Sequence, residues 1–190
     1  MEVVIEPKGI KMERENVKGV LEWLIPKCVK DVQKFLRLAN YYCQFTQGFA
    51  SIARLLHDMV KKDRKWEWTE KQEKAFEELK KKFIQELVLA ALNLDKKMRM
   101  EVDTLDYATE GMLSIEGEDG KWRPVIFLSK LLNETKRNYE IHDKDMLAII
   151  RGLESWRHLL EGAQFKFEIW TDHKNLKYFM KAQKLNWRQA

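Results

Sequence analysis

Between Met98 and Asp103 apolar and polar residues alternate strictly, Met98, Met100 and Val102 against Arg99, Glu101 and Asp103. That is the period of a half-buried strand, and Asp103 stands at its C-terminal end. The alternation returns at Phe165, Phe167 and Ile169 against Lys166, Glu168 and Trp170, predicting a strand that ends at Thr171 and Asp172. Residues 111–116 and 122–128 form two more β-rich runs around Glu118, Asp119 and Gly120, a hairpin signal. A helical period takes over from about Asp143 to Leu160, with Met146, Ile149, Ile150, Leu153, Trp156 and Leu160 as its buried face. A last helical segment is predicted around Leu176 to Met180.

The first third reads differently. The opening MEVVIEPKGIKM suits a short strand leaving through a turn. Val17 to Trp23 predicts a short helix closed by Pro26, and after it Val32, Phe35, Leu36, Ala39 and Tyr42 recur at helical spacing. Gly48 reads as a bend before another short helix around Ile52, Leu55, Leu56 and Met59. The charge run KKDRK at 61–65 marks a surface connection, where a domain boundary is expected because few contacts should cross it. Thr69 followed by Gln72 is a capping-box pattern, and Phe76, Leu79, Phe83 and Leu87 continue at helical spacing behind it. Lys80, Lys81 and Lys82 on that helix are expected to be solvated. The predicted order is helices, three strands, helix, strand, helix, with no internal repeat.

Composition narrows the class. A chain of 190 residues, 45% of them apolar, is long enough for one large or two small cores. Only Cys28 and Cys43 are present, without zinc-type spacing, which argues against a disulfide scaffold or structural metal and for a reducing, intracellular setting in the cytoplasm or nucleus. No apolar run approaches a membrane span, and the first ten residues carry Glu2, Glu6 and Pro7 where a secretion signal needs an apolar stretch. The formal net charge of +5 is mild, but residues 1–64 hold 12 lysines and arginines against 8 acids. Within them Lys27, Lys30, Lys34 and Arg37 form a basic stripe one helix long. Such a stripe suits successive phosphates; an ordinary solvated face has the same appearance.

The acidic positions form a constellation rather than a motif. If the strand carrying Asp172 lies parallel to the strand carrying Asp103, the long helix is their crossover and both aspartates stand at one sheet edge. The acidic start of that helix would add Asp145. Clustered carboxylates repel and call for a cation; Mg²⁺ fits an all-oxygen site, and two ions roughly 3.5–4 Å apart would clamp the water and the leaving oxygen of a phosphodiester. Each residue also has a local explanation. Asp143 and Asp145 complement a helix dipole, Asp172 caps the following segment and Asp103 begins a turn. His142 and His173 flank the acids without metal-ligand partners at diagnostic spacing.

Several segments, in order, resemble gypsy-type LTR retrotransposon reverse transcriptases. Gly9-Ile10-Lys11-Met12, the run VQKFLRLANYY from Val32, and Trp66-Glu67-Trp68-Thr69 resemble the region after the polymerase palm. Glu101-Val102-Asp103, Asp106-Tyr107-Ala108, Arg123-Pro124, Asn138-Tyr139, HDKDMLAI from His142, Trp156-Arg157-His158 and TDHKNL from Thr171 resemble the ribonuclease H domain. The resemblance implies an α/β (α+β) fold class: thumb/connection helices over 1–64, then an incomplete ribonuclease H-like mixed sheet flanked by helices over 65–190, lacking the last strand and helix. It implies hydrolysis of RNA in an RNA/DNA hybrid, with Asp103, Asp145 and Asp172 binding Mg²⁺ (or Mn²⁺), and no polymerase activity, since the palm aspartates are outside this chain. It also implies contact of Lys27, Lys30, Lys34, Arg37, His173, Lys174 and Asn175 with duplex nucleic acid.

Departures from the family pattern bear on that expectation. Asp145 stands where the family usually has glutamate, withdrawing the carboxylate by about one C–C bond, a displacement that pre-organised sites tolerate poorly. Arg37 replaces the usual glycine, and Leu105 a small residue. A missing last strand would leave a sheet edge open to pairing with a second copy. The alternative to an enzyme is a non-catalytic, degenerate or domesticated nucleic-acid-binding module.

Overall fold

The computed structural model describes residues 3–6, 9–84 and 89–172, and the chain divides into two compact units, Met1–Ala91 and Leu92–Ala190. In the first unit β1 (Val3–Glu6) and β2 (Gly9–Met12) pair antiparallel, Val3 opposite Met12 and Glu6 opposite Gly9. The single short strand expected here is therefore a hairpin. Ile10 also exchanges backbone hydrogen bonds with Leu89 at 2.7 and 3.0 Å, bringing the end of the unit back to its start. Four helices follow: α1 (Arg14–Leu21), α2 (Val29–Tyr41), α3 (Phe49–Met59) and α4 (Glu70–Ile84). Gly48, at φ 73°, supplies the left-handed bend into α3.

The capping box is formed as its spacing predicts. The Gln72 carboxamide oxygen accepts from the Thr69 backbone N–H at 3.2 Å, the Thr69 hydroxyl also donates to it, and Lys71 N–H donates to Thr69 Oγ1 at 3.3 Å. Behind the cap Phe76, Leu79 and Phe83 are fully buried; Leu87 lies outside the described residues. Phe76 meets Phe35 of α2 at 4.6 Å between ring centroids, and Phe83 meets Tyr42 at 6.4 Å. This packing makes α4 part of the first unit, so the packing division falls at 91/92, past the charge run at 61–65 that suggested a boundary at 64/65.

Lys80 corrects another expectation. It is not solvated but 9% exposed, its ammonium donating to the Trp23 carbonyl at 3.1 Å, paired with Glu77 at 3.5 Å and 5.1 Å from the Phe76 ring centre. The reason is position: Lys80 lies one turn beyond Phe76 on the buried stripe, so its stem covers apolar surface while its head finds a carbonyl.

The second unit is one mixed sheet with helices after its third strand. β3 (Met98–Thr104), β4 (Ala108–Glu116), β5 (Trp122–Leu131) and β6 (Glu168–Thr171) stand in the order β5-β4-β3-β6, antiparallel except for the parallel pair β3 and β6. The hairpin strands run longer than predicted. Pro124 sits where the register shifts opposite Leu113/Ser114, on an edge strand, the setting in which a proline costs no ladder bond. A short turn, α5 (Glu134–Arg137), is capped by the Asn133 side chain accepting from Lys136 N–H at 2.9 Å and leads into α6 (Ile141–Leu160).

β6 is shorter than the alternation from Phe165 suggested, because Gln164 bonds back to Leu94 through its backbone and to Asp95 through its side chain before the ladder begins at Glu168. The predicted segment at Leu176 to Met180 lies outside the described residues. Among the described residues no helix is long and apolar enough to cross a membrane.

On the sheet face away from α6, Arg99 is clamped between two indoles, its guanidinium carbon 4.0 Å from the Trp122 ring centre and 3.8 Å from that of Trp170. Glu168 accepts from Arg99 at 3.2 Å and from the Trp170 indole N–H at 2.8 Å. These contacts tie the four-residue β6 to β3. Replacing Arg99 with alanine is expected to cost about 1–3 kcal/mol, the sum of two cation–π contacts and an ion pair, read as a lower urea midpoint; Arg99→Lys restores only part, since an ammonium cannot stack on both rings. In the first unit, Phe76→Ala is expected to cost about 3–5 kcal/mol by opening a cavity between α2 and α4, measured in the same way.

Candidate functional site at the sheet edge

The alternation of β3 decides which way its side chains face. Met98, Met100 and Val102 are buried on the α6 side, while Asp103 is exposed on the other. The last pair between β3 and β6 is Val102 with Thr171. Continued by one residue, that parallel register sets Asp103 opposite Asp172 on strands about 4.8 Å apart. Asp172 is exposed as well, and Asp103 Oδ1 accepts from the Thr104 N–H at 2.7 Å.

The third acid reaches the same end of the sheet from α6. The C-terminal end of α6 is anchored ahead of β3, where Gln164 N–H donates to the Leu94 carbonyl at 3.2 Å and a Cβ on Gly162 would lie 3.1 Å from the Leu94 side chain. The helix therefore runs antiparallel to β3. At mid-helix Gly152 lies so close to Met100 that an added Cβ would fall 2.6 Å from its sulfur. From that crossing Asp145 is seven residues back along the helix, about 10 Å, and Asp103 is three residues forward along the strand, also about 10 Å. Asp145 is 2% exposed and shares the buried stripe with Ala148, Gly152 and Trp156.

Asp103, Asp172 and Asp145 are thus brought to one end of the sheet, but α6 covers the face opposite the one on which Asp103 stands. Among the described residues no group of three or more histidine, cysteine, aspartate and glutamate side chains is arranged to hold a metal ion. What the geometry offers is two exposed carboxylates on adjacent strands with a third, buried one toward the same sheet end. Hard oxygen donors of this kind suit Mg²⁺, which is commonly bound by one or two carboxylates together with substrate phosphates. His142 stands beside them, its Nε2 3.0 Å from Glu140 and 4.0 Å from Asp143. His173, Lys174 and Asn175 lie outside the described residues.

Arg151 locks α6 in place over the sheet. Its guanidinium donates to Thr109 Oγ1 at 2.7 Å and to the carbonyls of Lys130 and Leu131. Burial pushes its pKa below the ordinary arginine value, opposed by Glu154, yet the group stays charged. Neither Arg151 nor Arg99 was singled out by sequence reasoning. For Arg99 a signal existed, since Trp170 occupies a polar position in the alternation of β6.

The basic stripe is present as a surface. Lys30, Lys34 and Arg37 are exposed along α2, opposite the buried Val32, Phe35, Leu36 and Ala39, and Lys27 is exposed just ahead of the helix. Asp31 stands among them, accepting from the Lys27 backbone N–H at 3.2 Å. Its pKa is lowered first by that amide and then by the Cys28 thiol.

Comparison with known proteins agrees with this architecture. A family profile described as an RNase H-like domain found in reverse transcriptase matches residues 68–167. The Tf2-3 and Tf2-4 transposon polyproteins of Schizosaccharomyces pombe are each 37% identical over 172 residues, which is 90% of this chain and 13% of the polyprotein. The chain thus spans about an eighth of those relatives. Among solved structures, foamy viral protease-reverse transcriptase in complex with dsDNA superposes with a TM-score of 0.79 at 15% identity, covering 96% of this chain and 38% of that one. The same viral protein in complex with RNA/DNA hybrid gives 0.76 at 15% identity, covering 98% and 26%. At such identities the likeness is one of fold. From the profile and the polyprotein relatives together, the chain belongs to the ribonuclease H-like domain family of reverse transcriptases, within retrotransposon polyproteins of the gypsy type.

Proposed function

We propose that this chain acts on RNA/DNA hybrids, hydrolysing the RNA strand in the manner of a ribonuclease H. The observation that carries the reading is the parallel register of β3 and β6, which sets Asp103 and Asp172 side by side at the sheet end toward which the start of α6 points. Asp103 and Asp172 would hold Mg²⁺, with Asp145 beneath them, and the ion when bound would supply an activated water and neutralise charge on the leaving oxygen. The chain's own part is to position. Arg99 keeps β6 in register, Arg151 fixes α6, and the exposed cations of α2 draw the phosphate backbone without reading its sequence.

A hybrid carrying a labelled RNA strand tests this directly. Cleavage is expected only with added Mg²⁺ or Mn²⁺, is abolished by Asp103→Asn, and rises with Asp145→Glu, which restores the missing methylene. Absence of metal-dependent cutting at any excess of folded protein would sink the reading.

The exposed cations along α2 favour a second reading, a non-catalytic module that binds duplex or hybrid through that helix. Its signature is binding that weakens with salt and is indifferent to metal. Changing Lys30, Lys34 and Arg37 together to glutamate is expected to flatten the plot of log K against log salt by about 3 if each cation neutralises one phosphate, followed by anisotropy titration at several salt concentrations; an unchanged slope removes the stripe from the interface.

A further inference from the structure

Five aromatic rings form a continuous ladder in the first unit, from its core to its surface. Trp23 meets Phe35 at 5.9 Å, Phe35 meets Phe76 at 4.6 Å, Phe76 meets Trp68 at 5.9 Å, and Trp68 stacks on Trp66 at 5.9 Å with 18° between the ring planes. Phe35 and Phe76 are buried, whereas Trp66 at the outer end is 37% exposed. Residues 61–67 are all exposed, and just before Trp66 they carry Lys61, Lys62, Arg64 and Lys65. Lys61 is paired with Asp58 at 2.7 Å, but among the described residues no carboxylate engages Lys62, Arg64 or Lys65. Asp63 and Glu67 are the acids of the segment, and Asp63 adopts a left-handed backbone, φ 64°, that turns the chain between the cations.

Trp66 keeps over a third of its surface open beside three cations without acidic partners, which is the composition of a surface for unpaired nucleotides: a flat ring for a base and positive charge for the phosphates flanking it. The ladder behind it also matters, because a ring already fixed loses little freedom on binding. We propose that Trp66, with Lys62, Arg64 and Lys65, forms a stacking platform for single-stranded nucleic acid, built from residues other than the sheet-edge carboxylates and the stripe of α2. The proposal rests on the nucleic-acid-binding reading but on no cleavage activity.

The test uses the full chain and fluorescein-labelled oligo-dA, oligo-dT and a blunt RNA/DNA hybrid, followed by anisotropy. Wild type is expected to bind oligo-dA more tightly than oligo-dT, since purines stack better. Trp66→Ala should weaken oligo-dA binding roughly tenfold, Trp66→Phe should recover much of it, and neither should alter binding of the blunt hybrid or the far-UV circular dichroism. Changing Lys62, Arg64 and Lys65 to glutamine should reduce the salt slope for oligo-dA by about 2, at roughly 0.7 per phosphate on a single strand. Oligo-dA binding that is absent, or equal in wild type and Trp66→Ala, overturns the platform. If the hybrid still binds, the reading of α2 survives that failure; if oligo-dA binds through Trp66 and the hybrid does not, the platform stands and the reading of α2 falls.

Discussion

Two antiparallel steps make β5 run parallel to β3, so once β6 pairs parallel to β3 the chain from β5 to β6 joins two parallel strands and needs a crossover of a dozen or more residues rather than a tight turn. Everything distinctive about the second unit follows from satisfying that requirement. The connection from β5 to β6 is supplied mainly by α6, twenty residues over one face of the sheet, which also fixes the helix direction. Its start must lie where β3 and β6 end. Strand ends that carry aspartates and a helix start that carries aspartates are thereby delivered to one place by topology, before any side chain makes a specific contact.

Close docking of that helix depends on two glycines. Gly152 admits the Met100 side chain, and Gly111 admits the Trp156 ring, which an added Cβ would meet at 3.1 Å. A larger residue at either place would crowd that neighbour, so the seating of α6, and with it of Asp145, depends on both glycines. Trp156, one of the largest fully buried side chains, fills the space that Gly111 leaves. The position of Asp145 is therefore coupled to core packing about 10 Å away, and a change at a core position reaches this carboxylate without touching it.

Much of this was legible in the sequence, for reasons that differ by element. The period-two pattern of β3 and the capping box of α4 are local signals, and both structures form as read. Asp103, Asp145 and Asp172 could be placed at one sheet end because connectivity rules leave few options for a strand, helix, strand sequence. The facing of the side chains was less accessible. Whether Asp103 turns toward α6 depends on which set of β3 residues the helix covers, a tertiary matter. Lys80 illustrates the same limit: flanked by two other lysines it reads as solvated, and only the packing of Phe76 against Phe35 shows that its position lies inward. The packing division lies past the boundary near 64 for a related reason. A charge run marks an exposed connection, but Trp66 and Trp68 just past it carry the aromatic ladder back into the first unit. The family profile nonetheless begins at 68, so α4 belongs by descent to one region and by packing to the other.

That divided allegiance bears on how the two kinds of surface have drifted. Phosphate contacts on an exposed helix would depend mainly on charge and tolerate changes of shape, so Lys30, Lys34 and Arg37 could serve on α2 without exact placement. A metal-binding carboxylate would depend on distance, and Asp145, buried on the stripe it shares with Ala148, Gly152 and Trp156, reaches one methylene less far than a glutamate would. As proposed, binding therefore asks less of the fold than hydrolysis, which would depend on where α6 carries Asp145 relative to the sheet end. Gly152 bears on where α6 can sit, since a Cβ there would fall 2.6 Å from the Met100 sulfur.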